Sequence, residues 1–186
     1  MKMNFFATKI PDVFLIQPQI YKDERGFFME SYQKQRFRQA GIKYEFVQDN
    51  HSSSQGLTLR GLHYQITHPQ GKLVRAIIGE IFDVAVDLRQ YSPSFGRWVG
   101  AYLSAENKHQ LWIPPGFGHG FLALSTRADV IYKATEYYDQ EGERVIRWDD
   151  PDLAIDWPIT DDTKPLTSKK DSNAPLFKDA EVFHET

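Results

Sequence analysis

The chain of 186 residues contains no cysteine, which excludes disulfide staples, thiolate metal sites and cysteine nucleophiles. It also lacks any apolar run approaching membrane-spanning length. Near the start only Phe5-Phe6-Ala7 is apolar, and Lys9, Pro11 and Asp12 follow before a secretory core could form, so a soluble, cytoplasmic protein is expected. Net charge is small, −3 at pH 7, and gives no general attraction to nucleic acid or to an anionic membrane. An anionic ligand would therefore have to meet a local cluster of cations. There is no internal repeat and no low-complexity tract. What remains is the length and composition of a single domain over 1–186, long enough to bury a substantial core.

Alternation dominates the middle of the chain. Phe82, Val84, Val86 and Leu88 alternate with Asp83, Ala85 and Asp87; Trp98 to Leu103 follows a Ser-Pro-Ser-Phe-Gly turn; Gln110 to Ile113 and Val130 to Tyr138 read the same way. One helix is predicted, over 31–40, with Ser31 as N-cap and Gly41 as its stop. The expected class is all-β, a sandwich or small barrel of jelly-roll type with an interior cleft, occupying about 10–150. Beyond it, Pro151, Pro158, Pro165 and Pro175 among polar residues predict an irregular or partly helical wrap over about 151–186.

Reactive side chains concentrate in a few places. Arg60-Gly61-Leu62-His63 sets a cation and a titratable base around a glycine that permits close approach. Gln48-Asp49-Asn50-His51 offers donors and acceptors suited to sugar or base edges, or to capping turns. In Pro114-Pro115-Gly116-Phe117-Gly118-His119-Gly120, prolines and glycines hold His119 in a tight turn. A period of two puts Tyr132, Ala134, Glu136 and Tyr138 on one strand face, where Tyr132 serves as an acid only if substrate lies against its hydroxyl. Lys169-Lys170-Asp171 reads as solvated surface, although a catalytic histidine needs a carboxylate partner that can be distant in sequence.

Taken in series, these segments carry a resemblance. Asp23-Glu24-Arg25-Gly26-Phe27-Phe28, Phe46-Val47-Gln48-Asp49-Asn50-His51-Ser52, Arg60-Gly61-Leu62-His63 and Gly71-Lys72-Leu73-Val74-Arg75 come in the family's order. So do Leu103-Ser104-Ala105-Glu106-Asn107-Lys108, Gln110-Leu111-Trp112-Ile113-Pro114, Gly118-His119-Gly120-Phe121, Tyr132-Lys133-Ala134-Thr135 and Lys170-Asp171. The chain resembles the dTDP-4-dehydrorhamnose 3,5-epimerase family from Ile10 to Pro175. It departs from the family pattern at Ser54-Gln55-Gly56-Leu57 and over 161–167, which bears on loop shape and tail docking.

The resemblance implies a cupin-like double-stranded β-helix with a few short helices, and no cofactor. It implies inversion of C3 and C5 of dTDP-4-dehydro-6-deoxy-glucose, both carbons α to the C4 ketone. In this reading His63 is the base, Asp171 orients it, Lys72 meets the enolate oxygen and Tyr132 is the acid. Arg25, Arg60, His119 and Lys170 are candidate cations or donors for phosphate and sugar oxygens. Phe27 and Tyr138 would stack on thymine, and Glu30, Gln48, Asp49, Asn50 and Glu143 would make polar contacts. Family members resemble one another as homodimers that exchange strands, so Arg25 or Glu30 would complete the neighbouring subunit's pocket.

Three alternatives compete. Pro114 to His119 fits the Pro-x-Gly-x-x-His part of a metal cupin motif, but Ala123 stands where that motif wants Asn, and Gln65 where a second histidine would sit. A C3-only epimerase or a ketoisomerase could use the same base, although Tyr132 favours double epimerisation. A noncatalytic sugar-nucleotide binding module is opposed by His63, Lys72, Tyr132 and Asp171 all being present.

Overall fold

The computed structural model describes residues 2–160 and 163–184; residues 161, 162, 185 and 186, at the expected family departure and the end of the wrap, lie outside the described residues, as does residue 1. Two antiparallel sheets face each other. The first contains β1 (Met3–Ala7), β2 (Phe14–Pro18), β5 (Gln48–Gln55), β7 (Lys72–Ile78), β10 (Gln110–Ile113) and β12 (Arg127–Ala134), in the order β1-β2-β10-β7-β12-β5. The second contains β6 (Leu59–Gln65), β8 (Glu80–Asp87), β9 (Trp98–Ser104), β11 (Phe117–Ala123) and β13 (Glu143–Val145), in the order β13-β6-β11-β8-β9. A separate hairpin pairs β3 (Ile20–Asp23) with β4 (Gly26–Met29). Helices are short, α1 (Lys34–Gln39) and α2 (Lys169–Ser172).

Three apolar clusters hold these layers. Val74, Leu111, Val130, Ile81, Ala85 and Phe121, drawn from both sheets, fill the space between them. Phe37 of α1 packs with Ile16, Leu73 and Trp112 on the outer face of the first sheet. On the outer face of the second, Phe82, Val84, Val86 and Leu88 pack with Ile146, Leu153 and Trp157.

This arrangement reverses the simplest reading of β8. Its Phe82, Val84, Val86 and Leu88 stripe points away from the sandwich interior and is covered by the chain after β13, while Asp83 lies on the interior face with Ile81 and Ala85. Both faces are thus buried, and both Asp83 and Asp87 are inaccessible.

Two expected elements shift. The helix starts at Lys34, capped by Gln33, whose side chain accepts from the Arg36 backbone N–H; the carbonyl of Ser31 instead accepts from Gln110. Its stop is as expected, with Gly41 at φ +96°, in the left-handed region that glycine enters without a Cβ penalty. Strand β12 starts at Arg127 and ends at Ala134, short of Tyr138, because the next residues turn away to follow bonds from Gln70 and Gln65. Gln65 holds that turn by donating to the carbonyls of His68 and Tyr137 and accepting from the Asp139 N–H.

Candidate active site

A bulge makes the site possible. His119 pairs with His63 and Phe121 with Arg60, so β6 uses three steps where β11 uses two. Alternation alone would send Arg60 and His63 to opposite faces; the extra residue turns both toward the interior cavity. The bulge needs glycine at its centre. Gly61 has φ +123°, and a Cβ there would stand 2.5 Å from Gly120 Cα and 2.7 Å from the His119 carbonyl oxygen.

The cavity, of about 180 Å³, is lined among others by Arg60, His63, Lys72, His119, Tyr132 and Glu143. Its walls come from both sheets: His63 and His119 stand on adjacent strands of the second, Lys72 and Tyr132 on adjacent strands of the first. A larger groove of about 530 Å³ beside Trp112 and Tyr44 lacks comparable chemistry, since its cation, Arg89, is committed to Asp87 and Asp12.

Asp171 reaches the cavity from the far end of the chain. Leu166 is hydrogen-bonded through its backbone to Leu57 and Leu59, which brings α2 against β6, and Ser168 caps α2 by accepting from the Asp171 N–H at 3.0 Å. The Asp171 Oδ1 then lies 2.6 Å from His63 Nε2. Burial pushes the Asp171 carboxyl up, but the His63 and Ser168 contacts outweigh it and hold the group below the usual carboxylate range. An ionised Asp171 selects the Nε2–H form of the imidazole and leaves Nδ1 as the free basic nitrogen.

Lys72 is 7% exposed, and its Nζ donates to the His63 carbonyl at 3.4 Å. Burial brings its pKa from 10.5 down to about 8, with the charges of Asp83 and Glu143 working in the other direction. The ammonium sits 5.9 Å from the centre of the Tyr132 ring. Burial raises the Tyr132 pKa, so the phenol keeps its proton at neutral pH. The buried Ser52 hydroxyl, also in the cavity wall, has no hydrogen-bond partner among the described residues.

At the rim, Tyr138 donates to Glu143 at 2.9 Å, and Lys170 forms an ion pair with the same carboxylate. Burial opposes ionisation of Glu143, but Lys170 and Tyr138 more than compensate and lower its pKa. Tyr138 is tied to Gln48 through its backbone N–H, and Gln48 donates to Asn50; neither Gln48 nor Asn50 lines the cavity, and Asn50 lines the groove that also holds Asp49. Arg60 donates to Ser54 Oγ and to the Ser53 carbonyl.

Other expected residues stand apart. Asp49 is on the opposite face of β5, ion-paired with Lys133 at 2.9 Å, and the groove it shares with Arg75 is outside the barrel. Arg25 pairs with Asp23 on the exposed β3–β4 hairpin, Phe27 stacks under Lys108 on the same hairpin, and Glu30 pairs with Arg36. None of these four lines the cavity within one chain. Asp83 was missed by sequence reasoning, yet its Oδ1 is 2.8 Å from His119 Nε2. A carboxylate within a strand buried on both faces is the signal that could have found it.

Fold and cavity define a class: a cupin-like double-stranded β-helix whose interior is equipped for proton transfer by a histidine–carboxylate pair, a phenol and a buried ammonium. Among the described residues, no group of three His, Asp or Glu converges as a metal-ion site requires. Comparison with known proteins narrows the class. The family model described as dTDP-4-dehydrorhamnose 3,5-epimerase matches residues 7–179. The dTDP-4-dehydrorhamnose 3,5-epimerase of Pseudomonas aeruginosa is 57% identical over 97% of this chain and 99% of its own length. That of Shigella flexneri is 54% identical over 97% of this chain and 99% of its own length. A crystal structure of the Legionella pneumophila dTDP-6-deoxy-D-glucose-3,5-epimerase, in complex with dTDP-4-keto-L-rhamnose, superposes with a TM-score of 0.95 at 50% identity and covers all of both chains. The chain belongs to the dTDP-4-dehydrorhamnose 3,5-epimerase family.

Proposed function

We propose that this protein inverts C3 and C5 of dTDP-4-dehydro-6-deoxy-D-glucose to give dTDP-4-dehydro-L-rhamnose, by proton removal and return without a cofactor. The observation that carries this reading is the His63–Asp171 pair facing Tyr132 across a cavity that also holds the Lys72 ammonium. Both target carbons adjoin the C4 ketone, so each C–H becomes acidic once the enolate oxygen is stabilised. Lys72 supplies that charge from a buried position. His63 Nδ1 takes the proton from carbon, and the resulting imidazolium is stabilised by Asp171.

Inversion requires a donor on the other side of the planar enolate. His63 and Tyr132 belong to facing sheets, so a ring lying between them has one on each side. Each inversion moves one proton from carbon to His63 and one from Tyr132 to carbon; exchange with solvent resets both groups. A cavity of about 180 Å³ is small for a whole nucleotide sugar. The sugar therefore occupies the cavity, and the diphosphate and thymidine lie over the rim, near Arg60, Lys170, Glu143 and Tyr138.

The protein acts as a homodimer. The β3–β4 hairpin exposes Phe27 and Phe28, and Ile77 and Ile78 are exposed at the end of β7. A second copy covering these surfaces would bring Arg25, Phe27 and Glu30 to the neighbouring pocket, and light scattering of the purified protein would report twice the chain mass. We assign its place of work to the cytoplasm; no helix among the described residues is long and apolar enough to cross a membrane.

The test is to incubate chelator-treated protein with dTDP-4-dehydro-6-deoxy-glucose in deuterated water and follow C3–H and C5–H by proton NMR. Loss of both signals with formation of the rhamnose-configured ketone is expected. Exchange at C3 alone would replace this reading by a 3-epimerase, and exchange at neither carbon would exclude both.

A further inference from the structure

Behind the reacting groups lies a second histidine–carboxylate pair. His119 and His63 are directly opposed on β11 and β6, and each has a carboxylate on its Nε2, Asp83 from β8 and Asp171 from α2. The two carboxylates differ in setting. Asp171 reaches a half-exposed histidine at the cavity rim, whereas Asp83 is completely buried beneath a histidine that is itself 6% exposed. Moreover, Asp83 Oδ2 is buried and has no hydrogen-bond partner among the described residues. A carboxylate held in that state without function would be a net cost to the fold.

The charges around it indicate what it does. Lys72 is faced by Asp83 from β8, His119 from β11, His63 and Arg60 from β6, Tyr132 from β12 and Glu143 from β13. Of these, only Asp83 and Glu143 are acidic, and Glu143 is already engaged by Lys170 and Tyr138. Asp83 has one oxygen uncommitted.

Building on the epimerase reading, we propose that Asp83 is a positioning residue for the enolate end of the site: it fixes His119 as the Nε2–H tautomer and serves as countercharge to the Lys72 ammonium. With Nε2–H given to Asp83, His119 presents Nδ1 as an acceptor. It therefore receives a hydrogen bond from a sugar hydroxyl and does not act as a cation for phosphate. Burial lowers the His119 pKa and outweighs the opposing pull of Asp83, in agreement with a neutral ring.

Two measurements test this. In the intact protein labelled with nitrogen-15 histidine, with the His119 signals assigned by their loss in His119→Asn, long-range proton–nitrogen NMR should show the neutral Nε2–H tautomer from pH 6 to 9. An Nδ1–H tautomer or an imidazolium at neutral pH overturns the proposal, whether or not the protein turns over this substrate. The second measurement uses Asp83→Asn, which keeps the shape and removes the charge. The turnover number should fall about 10- to 100-fold with little change in KM. Lys72 must be protonated to work, so activity is lost as pH rises through its pKa, and without Asp83 that alkaline limb should move to lower pH by about one unit. Asp83→Glu should return the limb toward its wild-type position. An unmoved limb in Asp83→Asn, with activity lowered equally at every pH, would mean a merely structural role and overturn the countercharge. Should Asp83→Asn not fold, the Asp83→Glu profile and the tautomer decide.

Discussion

Replacing Lys72 by methionine should make the protein more stable and nearly inactive. Methionine matches the length of the lysine stem and needs no solvation, so the barrel can keep its packing. The lysine is 7% exposed and its pKa falls from 10.5 to about 8, so the folded state holds its charge at a cost. At 1.36 kcal/mol per unit this cost is about 3 kcal/mol. That figure already contains the opposing pull of Asp83 and Glu143, and imperfect packing of the methionine end offsets part of it; a net stabilisation of about 1–3 kcal/mol at pH 7 is expected, or roughly 3–10 °C in Tm. Turnover should fall about 100- to 1000-fold, the scale of removing a principal oxyanion stabiliser. The pH dependence provides an independent check. Below pH 8 Lys72 is charged in both folded and unfolded chains, and the folded state bears the whole penalty. Between about 8 and 10.5 the folded chain releases its proton first, the penalty shrinks, and the advantage of Lys72→Met should vanish by the upper value. Urea denaturation of both proteins at pH 7 and at pH 10 measures this. A variant less stable than wild type at pH 7, or a stability difference independent of pH, would refute the reasoning.

Asp171→Asn should lower the turnover number about 10- to 100-fold with KM nearly unchanged, because His63 loses the carboxylate that fixes its tautomer and stabilises its imidazolium; steady-state kinetics checks it. Tyr132→Phe should separate exchange from inversion: deuterium from solvent would still enter the substrate through His63, while inverted product would form much more slowly, as NMR of the reaction would show. Gly61→Ala should destabilise the fold by about 3 kcal/mol in urea denaturation and abolish activity, since its Cβ would meet Gly120 Cα at 2.5 Å and force the bulge open.

Strand periodicity reveals strands well and their environment poorly. The alternation over 81–88 marks β8 correctly, but it carries no sign of which face looks inward. That depends on the residues that later cover the other face, Leu153 and Trp157 among them, which are about 70 positions away. Asp83 was hidden for the same reason. The pairing of Arg60 with His63 on one face required a bulge, whose only local trace is Gly61. Chemistry-bearing residues were easier to find: His63, Lys72, Tyr132 and Asp171 stand in short stretches that resemble a family, and all four meet at the interior cavity. Arg25, Phe27 and Glu30 share that resemblance but sit on or beside a hairpin away from the cavity of their own chain. The Ser31 cap failed because capping propensity was read without tertiary context; Gln110 claims the Ser31 carbonyl, and the helix begins later.

The segment after β13 does two jobs with one stretch of chain. Its tryptophans, isoleucines and Leu153 roof the second sheet, and further along it hands Asp171 to His63. Proofreading of the fold is thereby wired into the reaction. A molecule cut or stalled before Asp171 would retain every cation and aromatic group of the barrel's cavity, and would still recognise its sugar. It would hold that sugar and convert it only slowly, drawing substrate away from intact copies.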